Sequence, residues 1–363
     1  MISKEKNKID LVIPTRFLTQ KITGAQRYGI EMIYALSKIN DNLNIQFVSP
    51  KKILYEQITK DINIIKYGSL KGHLWDQFSL LKYLRKFNNP LVLNLANTLP
   101  IFYMNKISII HDIIYEKFSQ HISPLYSKYY KVIFPLMIKN SRHIITVSNF
   151  SKKELMELYN LDDNNISVVY DCVSSKFKPL KADYPDKYIL AVSSVVYYKN
   201  FSGLIEAFLK IHNDNKFKLY IVGGINKKVF GKKSIEILKK IESNENINFL
   251  GSVDDEELIK LYSNAQCFIY PSFYEGFGLP PLEAQACGCP VIVSDIPVFR
   301  EVYKDSVIFC DPYKSDDIAS KIDMVLQSEN LRQELIEKGF ANAANYDFYE
   351  SAKKLLNIVK QFL

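Results

Sequence analysis

The sequence contains few cysteines, and their arrangement argues against the common cysteine-based sites. Only five occur among 363 residues, an odd number without paired C-x-x-C spacing, and most lie in apolar runs. This pattern predicts buried free thiols and makes a cysteine metal site improbable. The five positions are Cys172, Cys267, Cys287, Cys289 and Cys310.

Long apolar runs are also missing. None approaches the roughly 18 residues that a membrane-spanning helix needs, and residues 1–8 are mostly polar and lead into only a short apolar strand. The start of the sequence therefore lacks the apolar region of a secretion signal, and we expect a cytosolic protein. Internal repeats and low-complexity segments are absent from the sequence as well.

Negative charge is scarce in the first half of the sequence. Residues 1–180 contain 25 Lys and Arg against 14 Asp and Glu, a net of +11, whereas residues 181–363 contain 22 against 25, a net of −3. No helix-turn-helix, zinc-finger or RNA-recognition pattern accompanies this charge, which argues against nucleic acid as the partner. An anionic membrane or a phosphate-bearing acceptor fits the basic half better, and a solvated lysine-rich surface without a partner is the alternative.

The length and the composition suit two α/β domains. The chain is long for one core, and it is 47% hydrophobic and 24% charged, as in ordinary globular proteins. Strand-like and helical patterns alternate along it. Predicted strands cover residues 9–14, 45–49, 91–95, 106–110, 143–147, 188–194, 218–222, 247–253, 267–270 and 291–294.

The predicted helices follow from apolar spacing and capping residues. Helices are expected at 29–38, 75–86 and about 349–362, whereas the basic stretch up to about 66 shows no clear pattern. Ser151, three residues before Glu154, has capping-box spacing for a helix start. Asn200 is a natural N-cap for a helix that carries Phe201 to Leu209, and the acidic cluster 254–257 suits the start of another helix.

The most informative segment covers residues 270–290. It combines a strand end, a glycine turn and a helix start at Pro280 and Pro281, and Gly288 suits the position just past the helix. A further strand follows at once, so the loop should lie at the carboxyl edge of a parallel sheet, where open α/β folds bind ligands. Glu275 lies in the loop and Glu283 on the helix. Both carboxylates can therefore face the crevice, beside backbone N–H groups suited to an anion.

This segment resembles the Glu-x7-Glu signature of retaining glycosyltransferases of family 4. The match includes Tyr270-Pro271-Ser272, the Glu-Gly-Phe-Gly-Leu core, the Pro-Leu-Glu-Ala helix and the Gly-Cys-Pro-Val-Ile exit. The resemblance covers nearly the whole chain and implies an α/β, GT-B architecture of two facing Rossmann-like domains with parallel sheets and an interdomain cleft. It places an acceptor-binding domain at 1–178, a nucleotide-sugar-binding domain at 179–345, and a C-terminal helix at 346–363 that packs back toward the first domain.

The resemblance also implies roles for residues of the second domain. Glu275 would touch the donor sugar at the reacting centre, and Glu283 would hold the ribose hydroxyls of the nucleotide. A helix-capping or solvated Glu283 is the alternative. The remaining donor contacts would come from Gly276, Phe277, Gly278, Leu279 and Val253.

Two pieces of the first domain resemble the same family. The segment 23–28 looks like its glycine loop, in which Gly24 allows close backbone approach; Gly24 and Arg27 would lie on the donor side and Gln26 on the acceptor side. His111 and Asp112 look like the family's His-Asp pair, with His111 facing the donor sugar and Asp112 on the acceptor side. A satisfied structural histidine at a strand end is the alternative reading of His111.

Two further patterns point to a subgroup. Trp75-Asp76-Gln77 and Asn97-Thr98-Leu99-Pro100 resemble segments of bacterial mannosyl- and rhamnosyltransferases that act in surface polysaccharide synthesis. These patterns favour a hexose donor without naming the sugar.

One departure concerns the diphosphate site. The family often has two basic residues after the first strand of its second domain, whereas this sequence has Tyr198-Lys199-Asn200, with Ser194 at another position where Arg occurs. Lys199 remains as a catalytic candidate, and the missing charge would come from Arg27 or from the helix start at Gly278. The sequence also has no Asp-x-Asp triplet, so we expect no metal and no other cofactor.

The resemblance implies a retaining, metal-independent glycosyltransferase. It would move a hexose from a nucleotide-diphosphate sugar, with GDP-mannose as the best candidate and UDP- or dTDP-sugars as the others. The acceptor would be a growing, polyprenyl-linked bacterial surface glycan, and the cytosolic protein would dock at the inner face of the membrane. Alternatives are another GT-B enzyme, such as a nucleotide-sugar epimerase or a phosphorylase, and a non-catalytic transferase-like subunit.

Overall fold

The computed structural model describes residues 8–39, 41–96, 98–121, 123–180, 182–211, 217–224 and 244–363. The chain divides into two compact units, each built from separate stretches of sequence. The first unit comprises Met1–Ile113, Tyr129–Asp171 and Phe348–Leu363. The second comprises Ile114–Lys128 and Cys172–Asp347.

A parallel sheet forms the centre of the first unit. Its strands lie in the order β3-β2-β1-β4-β5-β6-β7, so the order reverses between β1 and β4, where Leu11 pairs with Leu91. Such a reversal opens a crevice at the carboxyl edge of the sheet. The strands are β1 Leu11–Pro14, β2 Ile45–Ser49, β3 Ile64–Lys66, β4 Leu91–Asn94, β5 Lys106–Ile109, β6 His143–Thr146 and β7 Ile166–Val168.

The helices of the first unit connect and cover these strands. Helix α3 is continuous through three segments, the middle one with π-helical hydrogen bonding. The helices are α1 Gly24–Lys38, α2 Ile58–Asp61, α3 Gly72–Leu74 with Trp75–Leu80 and Leu81–Lys86, and α6 Asn149–Tyr159. Helix α5, Pro124–Lys139, begins in the second unit and ends in the first.

The start of α1 corrects the sequence prediction. The helix begins at Gly24 and not at 29, so the predicted glycine loop 23–28 forms its first turns. The N-cap Thr23 has extended backbone angles, and the Arg27 N–H donates to its carbonyl at 2.9 Å. Thr23 and Gln26 have the spacing of a capping box, but their side chains bond each other and Thr23 makes no side-chain cap hydrogen bond.

Two further predictions in the first unit need correction. Helix α6 is capped by Ser148, whose side chain accepts from the Ser151 N–H, so Ser151 lies inside the helix and does not cap it. The stretch before 66, to which no pattern was assigned, contains α2 and the edge strand β3. Both are too short for their apolar periodicity to be evident.

The C-terminal helix, α13 Phe348–Lys360, completes the first unit by packing on α1. The Tyr28 and Phe348 rings lie 6.1 Å apart, and Ser351 Oγ donates to the Tyr170 carbonyl at 3.2 Å. At its other end, the Lys360 ammonium pairs with Asp41 at 2.7 Å.

The second unit has its own parallel sheet, in the order β10-β9-β8-β11-β12-β13. Here the order reverses between β8 and β11, where Ile189 pairs with Cys267. The predictions for β9, β11 and β12 match to the residue. The strands are β8 Tyr188–Val192, β9 Lys218–Val222, β10 Ile247–Gly251, β11 Cys267–Tyr270, β12 Val291–Ser294 and β13 Ile308–Cys310.

Helices cover the apolar faces of this sheet. The predicted caps are confirmed, because Asn200 accepts from the Gly203 N–H and Asp254 accepts from the Glu257 N–H. The elements are α4 Ile114–Lys117, α7 Phe201–Lys210, α8 Asp255–Asn264, α9 Leu279–Ala286, α10 Pro297–Tyr303, α11 Ser315–Gln327 and α12 Glu329–Ala343.

The five cysteines are buried and none is in a disulfide, as predicted. Within the described ranges, no helix has both the length and the hydropathy needed to cross a bilayer.

Candidate active site

The predicted Glu-x7-Glu segment lies at the strand-order reversal of the second sheet. Glu275 follows β11, and its Oε1 lies 2.5 Å from the Lys199 ammonium, which follows the neighbouring strand β8. Both side chains are largely shielded, with 13% of Lys199 and 11% of Glu275 exposed. The fold therefore brings together two predicted catalytic residues that are 76 positions apart.

Tyr270, the last residue of β11, is a third member of this cluster. Its hydroxyl accepts from the Lys199 ammonium at 2.8 Å. Burial, and then the negative charge of Glu275, raise the pKa of Tyr270 well above its ordinary value, so the phenol stays protonated. Tyr270 was not predicted as a site residue; its position as the aromatic residue before Pro271 was the available signal.

The loop between Glu275 and α9 is fixed by Gly278. Its φ of 101° lies in the left-handed region, and a Cβ there would stand 2.6 Å from Cε1 of Phe299. The Tyr303 hydroxyl donates to the Gly278 carbonyl. Helix α9 then begins at Leu279, and because Pro280 and Pro281 follow, its first turn has few N–H groups. The predicted donor residues Gly276, Phe277, Gly278 and Leu279 are all buried.

Glu283 lies on the second turn of α9. Only 4% of the residue is exposed, and its Oε2 accepts a hydrogen bond from the Tyr262 hydroxyl at 3.1 Å. Glu283 is therefore neither a helix cap nor a solvated surface residue. A buried carboxylate needs hydrogen-bond donors, and Tyr262 supplies one of them from the neighbouring helix α8.

The chain segments that follow β8 and β9 approach each other closely at the same edge of this sheet. A Cβ on Gly223, just after β9, would lie 1.8 Å from the Ser193 carbonyl oxygen, so only glycine fits there. The Gly223 N–H donates to the Gly251 carbonyl at 2.7 Å, at the end of β10. Val253, predicted to contact the donor, follows that strand and is half-buried. The Gly223-Gly224 pair was the sequence signal for this approach.

Tyr198 stands where the family that the sequence resembles often has a second basic residue, and aromatic side chains lie near it. The Lys199 ammonium lies 5.4 Å from the Tyr198 ring centroid and 5.1 Å from that of Tyr270. The Phe118 ring lies 5.7 Å from Tyr198, and His121 stacks on Tyr197 at 3.7 Å. This aromatic group of the second unit was not predicted from the sequence.

His111, in the first unit, lies two residues after the end of β5. Its Nε2 lies 2.9 Å from the Leu95 carbonyl oxygen and therefore carries the proton, because a carbonyl only accepts. Burial lowers the pKa of His111, so the ring is neutral at pH 7 and Nδ1 has a lone pair. The Tyr28 ring packs edge-on at 4.9 Å.

The other predicted residues of the first unit lie at the start of α1 and beside His111. Gly24 is exposed, and the Gln26 side-chain amide donates to Gln20 at 2.9 Å. Arg27 and Asp112 are half-buried. The structure thus groups one set of predicted residues in the first unit and another, around Lys199 and Glu275, in the second.

The chain is similar to known glycosyltransferases over almost all of its length. The family described as "Glycosyltransferase Family 4" matches residues 22–177, and the family described as "Glycosyl transferases group 1" matches residues 174–341. The O-antigen chain mannosyltransferase RfbU of Salmonella typhimurium is 31% identical over 90% of this chain and 92% of its own.

Two other proteins show how far the likeness extends. The N,N'-diacetylbacillosaminyl-diphospho-undecaprenol alpha-1,3-N-acetylgalactosaminyltransferase of Campylobacter jejuni is 23% identical over 98% of this chain and 92% of its own. The sucrose-phosphate synthase structure from Thermosynechococcus elongatus superposes with a TM-score of 0.78 at 15% identity, covering 97% of this chain and 98% of that one. With the two parallel sheets, this likeness confirms the predicted two-domain α/β GT-B fold. The chain belongs to the glycosyltransferases that join a family 4 region to a group 1 region.

Proposed function

We propose that the protein is a retaining hexosyltransferase that uses a nucleotide-diphosphate sugar, with GDP-mannose as the first candidate. One observation carries this proposal: Lys199, Glu275 and Tyr270 meet at the strand-order reversal of the second sheet. A cation, a carboxylate and a protonated phenol in a shielded crevice suit a donor whose two halves develop opposite charges. RfbU is named as a mannosyltransferase, which supports mannose as the sugar.

The proposed reaction separates charge across the glycosidic bond of the donor. The bond from the anomeric carbon to the diphosphate oxygen breaks, and the acceptor oxygen bonds to the same face of that carbon. Lys199 stabilises the leaving phosphate, which takes the acceptor proton, and Glu275 stabilises the positive charge on the sugar. Before donor binding, Glu275 holds Lys199 at 2.5 Å, so the ammonium is already positioned for the phosphate.

Glu283 and His111 complete the proposed donor contacts. Glu283 is buried on α9 and accepts a hydrogen bond from Tyr262, and carboxylate oxygens suit the two ribose hydroxyls as acceptors. The neutral His111 ring, with its proton on Nε2, offers Nδ1 as an acceptor for a hydroxyl of the donor sugar. A neutral acceptor orients a hydroxyl without opposing the positive charge on the reacting carbon.

We further propose that the phosphates are neutralised without a metal. Lys199 supplies the positive charge from the second unit, the backbone N–H groups of the loop from Gly276 to Leu279 supply further donors, and Arg27 supplies the second cation. Transfer in excess EDTA should equal transfer in buffer. Complete loss in EDTA, restored by manganese or magnesium, would contradict this part of the mechanism.

The proposed acceptor is a polyprenyl-linked surface glycan at the inner face of the cell membrane. The Campylobacter relative is named for an undecaprenol-linked acceptor, and residues 1–180 carry a net charge of +11. In the first unit, α5 exposes Lys131, Val132, Leu136 and Lys139 on one face. Apolar side chains flanked by lysines are typical of helices that lie on an anionic membrane.

A donor panel tests the proposed function directly. Purified protein is incubated with GDP-, UDP- and dTDP-sugars, and release of nucleoside diphosphate is measured together with the thermal shift. We expect one donor to stabilise the protein and to be slowly hydrolysed. Appearance of a free epimer or a sugar phosphate would instead indicate an epimerase or a phosphorylase, and the absence of binding and turnover with every donor would favour a non-catalytic subunit.

A further inference from the structure

The first unit contains a buried polar network that the proposed donor chemistry does not use. Arg16 Nε donates to Asp76 Oδ1 at 2.8 Å, and Thr98 Oγ1 donates to Asp76 Oδ2 at 2.8 Å. The three residues are almost inaccessible, at 3% exposed for Arg16, 0% for Asp76 and 3% for Thr98. The network joins the two sequence patterns 75–77 and 97–100, of which Asn97 lies outside the described residues.

The network lies where a parallel sheet binds ligands. Arg16 follows β1, and Thr98 follows β4, the two neighbouring strands at which the strand order reverses. Asp76 and His73 belong to the first turns of α3, which leaves the same edge of the sheet after β3. Three connections therefore converge on the crevice of the first sheet.

His73 connects this buried network with the protein surface. Its Nδ1 lies 3.0 Å from Thr98 Oγ1, and 38% of its side chain is exposed. The single hydroxyl proton of Thr98 goes to the Asp76 carboxylate, so Thr98 must accept from Nδ1–H of His73. Nε2 of a neutral His73 then has a lone pair, and within the described ranges no hydrogen bond to Nε2 is present.

The charge state agrees with this geometry. Burial, and then the positive charge of Arg16, lower the pKa of His73 to about 4, so the ring is neutral at pH 7. A group with that pKa accepts a hydrogen bond but is a weak base. The Tyr129 ring centroid lies 4.7 Å from that of His73 and places an aromatic surface beside the imidazole ring.

We propose that His73 binds a hydroxyl group of the glycosyl acceptor through Nε2, and that Thr98, Asp76 and Arg16 are positioning residues that fix the tautomer and orientation of its ring. This inference rests on the proposed function, because it assigns the acceptor side of the same reaction. A fixed, neutral acceptor on a ring that packs against an aromatic side chain suits a sugar, which presents hydroxyls at its edge and C–H groups on its face.

The test uses two substitutions of His73 that distinguish the role of Nδ1 from that of Nε2. In His73→Asn the amide N–H can replace Nδ1–H toward Thr98, but nothing replaces Nε2. In His73→Gln the longer side chain places an acceptor near the position of Nε2. The acceptor probe is a membrane preparation from the parent organism with its own copy of this gene deleted, and the donor is the radiolabelled sugar nucleotide that the donor panel identifies.

Transfer of label to the lipid fraction is measured against the amount of membranes, and hydrolysis of the same donor is measured without membranes. Loss of one neutral hydrogen bond should raise the half-saturating amount of membranes roughly five- to tenfold in His73→Asn, with recovery in His73→Gln. Thr98→Ser should behave like the wild type, and Thr98→Val should behave like His73→Asn.

The outcomes separate the two proposals. If His73 were purely structural, His73→Asn would keep wild-type transfer and His73→Gln would impair it. That result, or equal behaviour of all the variants, would overturn the inference and leave the proposed function intact. If the wild-type protein transfers no label from any donor, the proposed function itself fails, and the acceptor assignment fails with it.

Discussion

At the residue scale, the two carboxylates of the Glu-x7-Glu segment differ in what they contact. Glu275 pairs with Lys199, whereas Glu283 accepts from an uncharged tyrosine. We expect Glu275→Gln mainly to lower kcat and Glu283→Gln mainly to raise KM for the donor. A lost charge-assisted hydrogen bond is worth about 1.5–3 kcal/mol, so each effect should be roughly 10- to 100-fold.

Steady-state kinetics with the preferred donor checks this assignment. Glu334→Gln is the matched control, because Glu334 lies on α12 of the same unit and 57% of its side chain is exposed. Wild-type kinetics in both active-site variants, with folding intact, would show that the site lies elsewhere.

Gly278 offers a second test at this scale. Gly278→Ala combines a left-handed backbone with a Cβ 2.6 Å from the Phe299 ring, so it should lower the free energy of unfolding by about 2–4 kcal/mol. Gly72→Ala is the control, because Gly72 has a φ of 55° but no atom within 4 Å of the new Cβ. It should lose only about 1–2 kcal/mol.

Urea denaturation of the two glycine variants gives the comparison. Equal losses would mean that backbone strain alone sets the conformation of the loop before α9. A larger loss at Gly278 would attribute the difference to packing against Phe299.

At the element scale, the start of α3 has a pH dependence that can be predicted. The folded-state pKa of His73 is lowered from 6.5 to about 4, so the unfolded chain binds more protons between these values. The wild type should therefore lose stability as the pH falls from 7 to 5. His73→Phe removes this loss and should gain about 1 kcal/mol relative to the wild type over that interval, after allowance for partial exposure of the ring.

The contribution of Asp76 to the pH dependence of stability has the opposite sign to that of His73. Its pKa is raised to about 6, chiefly by burial and against the influence of Arg16 and Thr98, so its contribution favours folding as the pH falls. His73 Nδ1 lies 3.8 Å from Asp76 Oδ2, so the comparison of the wild type with His73→Phe measures the two groups as a coupled pair. Urea midpoints at pH 7, 6 and 5 measure the difference in stability between the wild type and His73→Phe. Parallel pH profiles of the two proteins would contradict the prediction.

Elements bounded by proline or glycine and apolar throughout were predictable from the sequence. Strand β11 ends before Pro271 and strand β12 begins after Pro290, and both match the structure to the residue. Short elements were not predictable, because a three-residue edge strand such as Ile308–Cys310 is too short to show a periodic pattern of apolar residues. The start of α1 was missed because Gly24 indicates a loop, whereas the Thr23 cap begins a helix there.

The site was predictable only as far as local patterns extend. Glu275, Glu283 and His111 were selected by their neighbours in the sequence. The pairings between residues were not predictable, because the contact of Lys199 with Glu275 spans 76 positions and that of Arg16 with Asp76 spans 60. Those pairings depend on which strands lie side by side at the reversal of each sheet.

At the scale of the whole molecule, the proposed membrane docking makes a salt-dependent prediction. Full-length protein should bind vesicles that contain anionic lipid at low ionic strength and dissociate as salt shortens the screening length. Each lysine near the surface contributes up to about 1 kcal/mol. Lys131→Glu with Lys139→Glu should therefore reduce binding at least tenfold, and Val132→Ser with Leu136→Ser should reduce the salt-resistant part.

Vesicle sedimentation measures the bound fraction. Lys314→Glu with Lys338→Glu is the control, because it changes the net charge equally from the second unit, at side chains that are 74% and 40% exposed. Equal losses in the two lysine pairs, or no binding by the wild type, would contradict docking through α5 and favour an acceptor that is not membrane-bound.

The discontinuous first unit also has a consequence for protein synthesis. Helix α1 is made within the first 38 residues, yet part of its apolar surface is covered by α13, whose first residue is Phe348. The second unit lies entirely between these positions in the chain. During translation, synthesis of the first unit therefore begins before that of the second unit and ends after it. More than 300 residues are added between the end of α1 and the start of its partner helix α13.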